Sequence, residues 1–236
     1  MLVALSALVS LVMPASPATA GEYTAVAVPD GGAIGGAVRV SNPPASLPPL
    51  EVFKNKAVCG ETVPNDALLI GKDGGVRYTV VHLQGISRGR APEAEAINVI
   101  DNRDCRFVPR VVTASVGQWL VFRNSDPVLH NADARIGAKP LFNIAITPGG
   151  EVRRPLVEPG LVKINCDVRH TWMEAYAFVA EHPYHTVTDA SGEYEIRDIP
   201  PGRYTVRVWH ERLGEQQKEV EVHAGKMAPL DFDLGG

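Results

Sequence analysis

Residues 161–180 read LVKINCDVRHTWMEAYAFVA. Leu161 to Asn165 and Ala175 to Ala180 are short runs of strand length, rich in residues that suit a pleated, covered surface. Between them a short loop carries Cys166, His170 and Met173 within eight residues. The same strand-like texture recurs upstream at the spacing of a β-sandwich, in Val76 to Leu83, Ala96 to Ile100, Arg106 to Ala114, Trp119 to Arg123 and Val152 to Leu156. Gly74-Gly75, Gly149-Gly150 and Pro159-Gly160 punctuate these runs as turns. No stretch keeps a helical period for more than a turn or two, so the expected fold class is all-β.

The segments outside these runs are assigned by their breakers. Ser41 to Leu50, SNPPASLPPL, holds four prolines and is read as an extended loop. Residues 21–36 read as a loose Gly- and Ala-rich lead-in. Within it GGAIGG at 31–36 is a flexible loop, because no strand–helix context supports phosphate binding there. Ser87 to Ala96 is a polar linker. After about Pro183 the texture changes to tightly alternating strands and turns, TVTDASGEYEIRDIPPGRYTVRVWHE, with Ile196, Ile199, Tyr204, Val206 and Val208 as the inward set. About fifty residues are few for independent stability, so this tail should pack on what precedes it. The predicted organisation is a leader over 1–20, a first domain over 33–181 and a smaller sandwich over 185–236. On that division a chain ending near Glu181 would keep its metal site.

Twenty-three Lys+Arg against 27 Asp+Glu give a net charge of −4, with no basic excess to neutralise phosphates, so nucleic acid is not an expected partner. Leu2 to Met13 is an unbroken run of apolar and small residues followed by Ala18-Thr19-Ala20 and Gly21, a secretory signal cleaved near Ala20, although no Lys or Arg precedes the run. It is too short to cross a bilayer, and no later segment is long and apolar enough to do so. The expected location is therefore periplasmic or secreted, without a membrane span. In an oxidising compartment three cysteines imply one disulfide and one thiol. Cys59 in AVCGET and Cys105 in NRDCRF both sit beside polar turn residues, so they are the expected pair, and Cys166 is the remaining thiol.

Thiolate, thioether and imidazole converging at a strand end suit copper, and a site of two His and one Cys with a weak axial Met describes an electron-transfer centre. The second histidine is offered by His130 in RNSDPVLHNADAR, after the Trp119 to Arg123 strand. Bland alternatives stand beside this: Cys166 as a small buried apolar residue, Met173 as core next to Trp172, and His130 as a hydrogen-bonded loop residue. Zinc suits Cys and His, but methionine is not its usual ligand. His82, His182, His185, His210 and His223 have no metal-binding spacing, and His182, His185 and His210 read as structural.

With His130-Asn131 upstream of Cys166-x₃-His170-x₂-Met173, the chain resembles the plastocyanin- and azurin-like blue-copper cupredoxins over roughly residues 75–181. The loop also resembles that of dinuclear copper-A centres, but Val162 stands where their first cysteine falls, so a mononuclear site is implied. The resemblance implies His130, Cys166 and His170 as equatorial ligands, Met173 as the axial one and Asn131 beside the thiolate. It further implies a Greek-key sandwich, and a His170 ring edge exposed for docking a redox protein such as a cytochrome c. The tail, through Thr188-Asp189, Gly192-Glu193-Tyr194 and Pro200 to Tyr204, resembles the carboxypeptidase regulatory-like, transthyretin-like β-sandwich, which specifies a fold and not a function. The fusion resembles exported plastocyanin-like proteins named for methylamine utilisation, a label without amine chemistry. Relatives of that kind carry further histidines where this chain has Arg110 and Asp133, so no second metal site is implied. The leading expectation is an exported carrier of single electrons. A copper-handling protein, and a secreted binding module with a structural metal site, are the alternatives. An enzyme is not expected, since neither paired His-x-His motifs nor a Ser/His/Asp or acid-pair set is found.

Overall fold

Along Gly160–Asn165 the side chains of Val162 and Ile164 are fully buried and Lys163 is exposed, the period-two pattern of a strand with one covered face. Glu174–Ala180 behaves differently. Ala175, Ala177 and Val179 enter one core while Tyr176 and Phe178 pack on the opposite side, so the run is apolar throughout because both its faces are covered. The computed structural model describes residues 23–235 and is almost entirely β, with single helical turns at Lys56–Cys59 and Lys72–Gly74. The expected leader over 1–20 lies outside the described residues.

These two strands lie in a five-stranded sheet ordered Lys139–Ile146, His130–Ile136, Gly160–Asn165, Glu174–Ala180, Val111–Ser115. A second sheet of Glu151–Pro155, Trp119–Asn124, Ile97–Arg103 and Arg106–Val108 faces it. Ile100, Leu120 and Phe122 of one sheet share a core with Ala132, Ala134, Val162 and Ile164 of the other. The hairpin His130–Ile136/Lys139–Ile146 has no strand signal in the sequence, because Asn131, Asp133 and Asn143 are residues of turns; Asn131 and Asn143 tie the site described below, and Asp133 pairs with Arg135.

The second sandwich corrects the predicted boundaries. Its sheets are His185–Val187, Val80–Gln84, Gly202–His210, Gly214–Val222 and, opposite, Glu193–Ile199, Gly32–Arg39, Met227–Pro229. Gly32–Arg39 and Val80–Gln84, which the sequence reading placed with or before the first domain, are interior strands of this C-terminal unit. The first sandwich, residues 97–180, is thus inserted between Val80–Gln84 and His185–Val187. Five tens of residues at the C-terminus lack the central strands, and the chain fetches them from its N-terminal part. The expected flexible loop at 31–36 is one of them. Its glycines serve close approach: a Cβ on Gly36 would lie 2.1 Å from the Leu230 carbonyl oxygen and one on Gly32 2.4 Å from that of His223.

The sandwiches are joined by Tyr78, Val80, Val111 and Tyr176, with Phe178 and Trp209 against them. Between them lies a buried ion pair, in which Arg110 donates through Nη2 to Glu211 at 2.7 Å and through Nη1 to the Glu174 carbonyl at 3.0 Å. The Cys59–Cys105 disulfide forms as expected.

The topology makes two outcomes testable. A chain ended at Glu181 strips Ile34, Val38, Val81 and Leu83 of their partners, each a buried side chain contributing about 1.5–3 kcal/mol. Such a chain should aggregate or melt far below the full protein in a circular-dichroism scan; an unchanged midpoint would contradict the shared core. Glu211→Ala leaves Arg110 buried without its partner and should cost about 3–5 kcal/mol in urea unfolding.

Candidate metal centre

His130 opens a strand, Cys166 follows the end of the neighbouring strand, and His170 lies four residues further on the loop. Arg169, at φ 67°, turns that loop back so that His170 faces Cys166, and the Met173 N–H closes the turn on the His170 carbonyl at 2.9 Å. All three donor residues are at most 1% exposed. Cys166 Sγ lies 3.8 Å from His130 Nδ1 and 3.7 Å from His170 Nδ1, and the two Nδ1 atoms are 3.0 Å apart. A point equidistant from three atoms so spaced, the circumcentre of that triangle, is about 2.0 Å from each, a metal–nitrogen bond length and slightly short for sulfur.

The outer ring nitrogens decide the tautomers. His130 Nε2 donates to Asp126 Oδ2 at 3.0 Å, and His170 Nε2 donates to Asn55 Oδ1 at 2.9 Å. Burial alone would raise the Asp126 carboxyl, but hydrogen bonds from His130 and from the Cys105 N–H hold it below the ordinary carboxylate range. It is therefore a carboxylate that needs a donor. With their outer nitrogens so engaged, the two Nδ1 atoms face each other at 3.0 Å in a buried site. Two acceptors in that position repel unless a cation or a proton lies between them. Burial, with the neighbouring His130 and Lys54, pushes His170 down to about 4, so it stays neutral at ordinary pH. Burial pushes the Cys166 thiol up, against the pull of the Asn131 and Val168 N–H groups. One soft sulfur and two imidazole nitrogens suit copper as a donor set.

Asn131 stands beside Cys166, its N–H 3.5 Å from Sγ. Its side-chain oxygen accepts the N–H groups of Asp167 at 2.6 Å and Val168 at 3.2 Å, and its amide donates to Asn143 at 2.7 Å, so it ties the strand to the loop. Met173 is 1% exposed in the same core as Cys166, next to Trp172, whose indole donates to the Cys105 carbonyl at 2.9 Å. His182, His185 and His210 make local hydrogen bonds away from the donor cluster. Arg110 is held by Glu211, and Asp133 accepts from Arg135 at 2.7 Å.

One expectation is corrected. His170 has no exposed edge: it is 1% exposed, with Asn55 on its outer nitrogen and the Trp172 ring 5.1 Å from its own. The cover is the segment Leu50 to Val63, folded back on itself beyond the proline loop. Asn55 and Asp126 were missed in the sequence. The signals were there, since Asn55 precedes the bridged Cys59 by four residues and Asp126 precedes His130 by four. Cys105, Asp126 and His130 also cluster, but Cys105 is bridged, so that group is a hydrogen-bond chain and not a donor set.

The profile of the carboxypeptidase regulatory-like domain matches residues 177–235. No curated protein matches the chain. Among solved structures it is similar to a copper-containing nitrite reductase from Thermus scotoductus SA-01, at 21% identity over 37% of this chain and 23% of that one, TM-score 0.34. A purple cupredoxin from Nitrosopumilus maritimus is matched at 24% identity over 36% of this chain and 100% of that one, TM-score 0.32. Amicyanin from Paracoccus versutus is matched at 17% over 38% and 84%, TM-score 0.32. The chain spans under a quarter of the nitrite reductase. With overlaps of this extent, the reading of the site rests on its own donor geometry.

The raised thiol fixes the sign of the pH dependence. Cys166 must lose its proton to bind a metal, so affinity should rise about tenfold per pH unit between about 5 and 8, with one proton released. Competition titration over that range checks the slope; a flat profile would mean that the thiol is not a ligand.

Proposed function

We propose that this chain is an exported, mononuclear copper protein that carries single electrons between redox partners. The observation that supports this best is the buried triangle of His130 Nδ1, Cys166 Sγ and His170 Nδ1. Copper bound there would supply a one-electron couple. The chain's own part is to hold the donors still. Asp126 and Asn55 orient the two imidazoles, Asn131 pins the loop that bears Cys166, and one five-stranded sheet fixes the paired strands from which His130 and Cys166 come. Met173 is read as the weak axial ligand.

Burial of all three donors favours retention of the ion over its release, which sets the carrier above a copper-handling protein, and gives a substrate no open approach, which favours carriage over catalysis. The disulfide accords with an oxidising compartment, as a periplasmic or secreted location requires. No helix of the described residues is long and apolar enough to cross a membrane. The partner class is a soluble redox protein such as a cytochrome c. Because His170 is covered, such a partner would meet the cover, where Phe53 is 70% exposed.

Copper-loaded protein should show an intense visible Cu(II)–thiolate charge-transfer band that Cys166→Ser abolishes. The axial assignment is tested by potential, because the axial donor tunes the couple more than it holds the ion. Met173→Gln should lower the reduction potential and Met173→Leu should raise it, with copper retained in both. Unchanged potentials would make Met173 core and nothing more.

A further inference from the structure

The cover over His170 is a small unit with few supports of its own. Leu50 pairs with Val63 and Glu51 with Thr62, and between these pairs stands one helical turn, Lys56–Cys59. A ladder of two pairs and a four-residue helix do not persist alone in water. What holds them is attachment. Val52 and Val63 enter the core of the metal sandwich, Lys54 Nζ donates to the Val168 carbonyl at 3.2 Å, and Asn55 accepts from His170. Asn55 does so from a left-handed conformation, φ 58° and ψ 34°, at the head of the helical turn. The covalent support is Cys59–Cys105, and Cys105 is also where the site's other contacts meet. Its N–H donates to the Asp126 carboxylate that holds His130, and its carbonyl accepts from Trp172 on the loop bearing His170.

We propose that residues 50–63 are a strap closing the metal centre over His170, and that the Cys59–Cys105 disulfide is its latch. Small molecules and metal reach Cys166 and His170 slowly while the latch is closed and far faster once it is open. For metal exchange this rests on the copper reading; for access to the thiol it does not. The latch opens by exchange with a dithiol. A thiolate of the reductant attacks the Cys59 sulfur, the less buried of the two, and displaces Cys105 as a thiolate that takes up a proton. The reductant's second thiol then resolves the mixed disulfide. Cys59 leaves as a thiol, and the reductant departs with its own two sulfurs bonded, having given two electrons.

The test follows alkylation of Cys166 by iodoacetamide in the metal-free full chain. In the oxidised wild type and in Cys59→Ser/Cys105→Ser, Cys166 is the single thiol. Modification of His170 by diethylpyrocarbonate, mapped by mass spectrometry, is the second readout. The double variant should alkylate roughly 30- to 1,000-fold faster than wild type, the loop-closure contribution of such a bridge expressed as an opening equilibrium. Amide protection of Gly160–Asn165 and Glu174–Ala180 should stay unchanged. Asn55→Gly tolerates the left-handed backbone and removes only the carboxamide; it should accelerate both modifications roughly 2- to 10-fold. If the double variant does not fold, Asn55→Gly and dithiol-treated wild type decide. Unchanged rates, or acceleration only with loss of strand protection, would overturn the strap. In the copper-loaded chain, transfer of Cu(I) to a chelator should follow the same order. A chain that takes up no copper even with its latch opened would sink the copper reading and leave the alkylation result standing.

Discussion

Two imidazole Nδ1 atoms buried 3.0 Å apart, beside a thiol that is itself buried, need a proton or a cation between them. Each ring is turned that way by a partner on its far side, Asp126 for His130 and Asn55 for His170. Those partners are in turn held by Cys105, directly through its N–H to Asp126 and covalently through Cys59 to the segment that bears Asn55. The demand for a cation or a proton between the two nitrogens is therefore built in. A soft cation bonded to both nitrogens and to the sulfur meets it, while a single shared proton serves only part of the set. From this constraint follow the dryness of the site, its cover and the polar ties of Asn131.

The site is also anchored from the far side of its sheet. The strand Glu174–Ala180 begins where the ligand loop ends, and its outer face carries Tyr176 and Phe178 into the joint with the second sandwich. Arg110 grips the Glu174 carbonyl and the Glu211 carboxylate together, so the chain just after Met173 is fastened to the other unit by a buried charge pair. A fifty-residue appendage would make a loose clamp. Completed by Gly32–Arg39 and Val80–Gln84, the second sandwich has its own core and forms a rigid base, with the metal sandwich inserted into it.

Much of this was legible in the residues. The all-β class followed from short apolar runs between Gly and Pro turns. The disulfide followed from the company that Cys59 and Cys105 keep, and the donor triangle from the spacing of Cys166 and His170 with a distant His130. What escaped reading shares one physical cause, long-range pairing. The GGAIGG strand looked like a flexible loop because glycine marks close approach as well as freedom, and the approaching chain, His223 and Leu230, lies nearly two hundred residues away. The domain boundary failed for the same reason, since composition along the chain does not reveal which strands pair. The hairpin from His130 to Ile146 was hidden because Asn131, Asp133 and Asn143 are turn-forming types, and Asn55 because its spacing from Cys59 does not say which ring it meets.

X-ray absorption of the copper-loaded full chain, in both oxidation states, reads the coordination of the ion itself. It should show a first coordination sphere of two imidazole nitrogens and one short sulfur contact, nearly unchanged between Cu(I) and Cu(II), because the donors are held by one sheet and by Asp126 and Asn55. A sphere of nitrogen and oxygen alone, or one that loses a histidine on reduction, would contradict a rigid copper site.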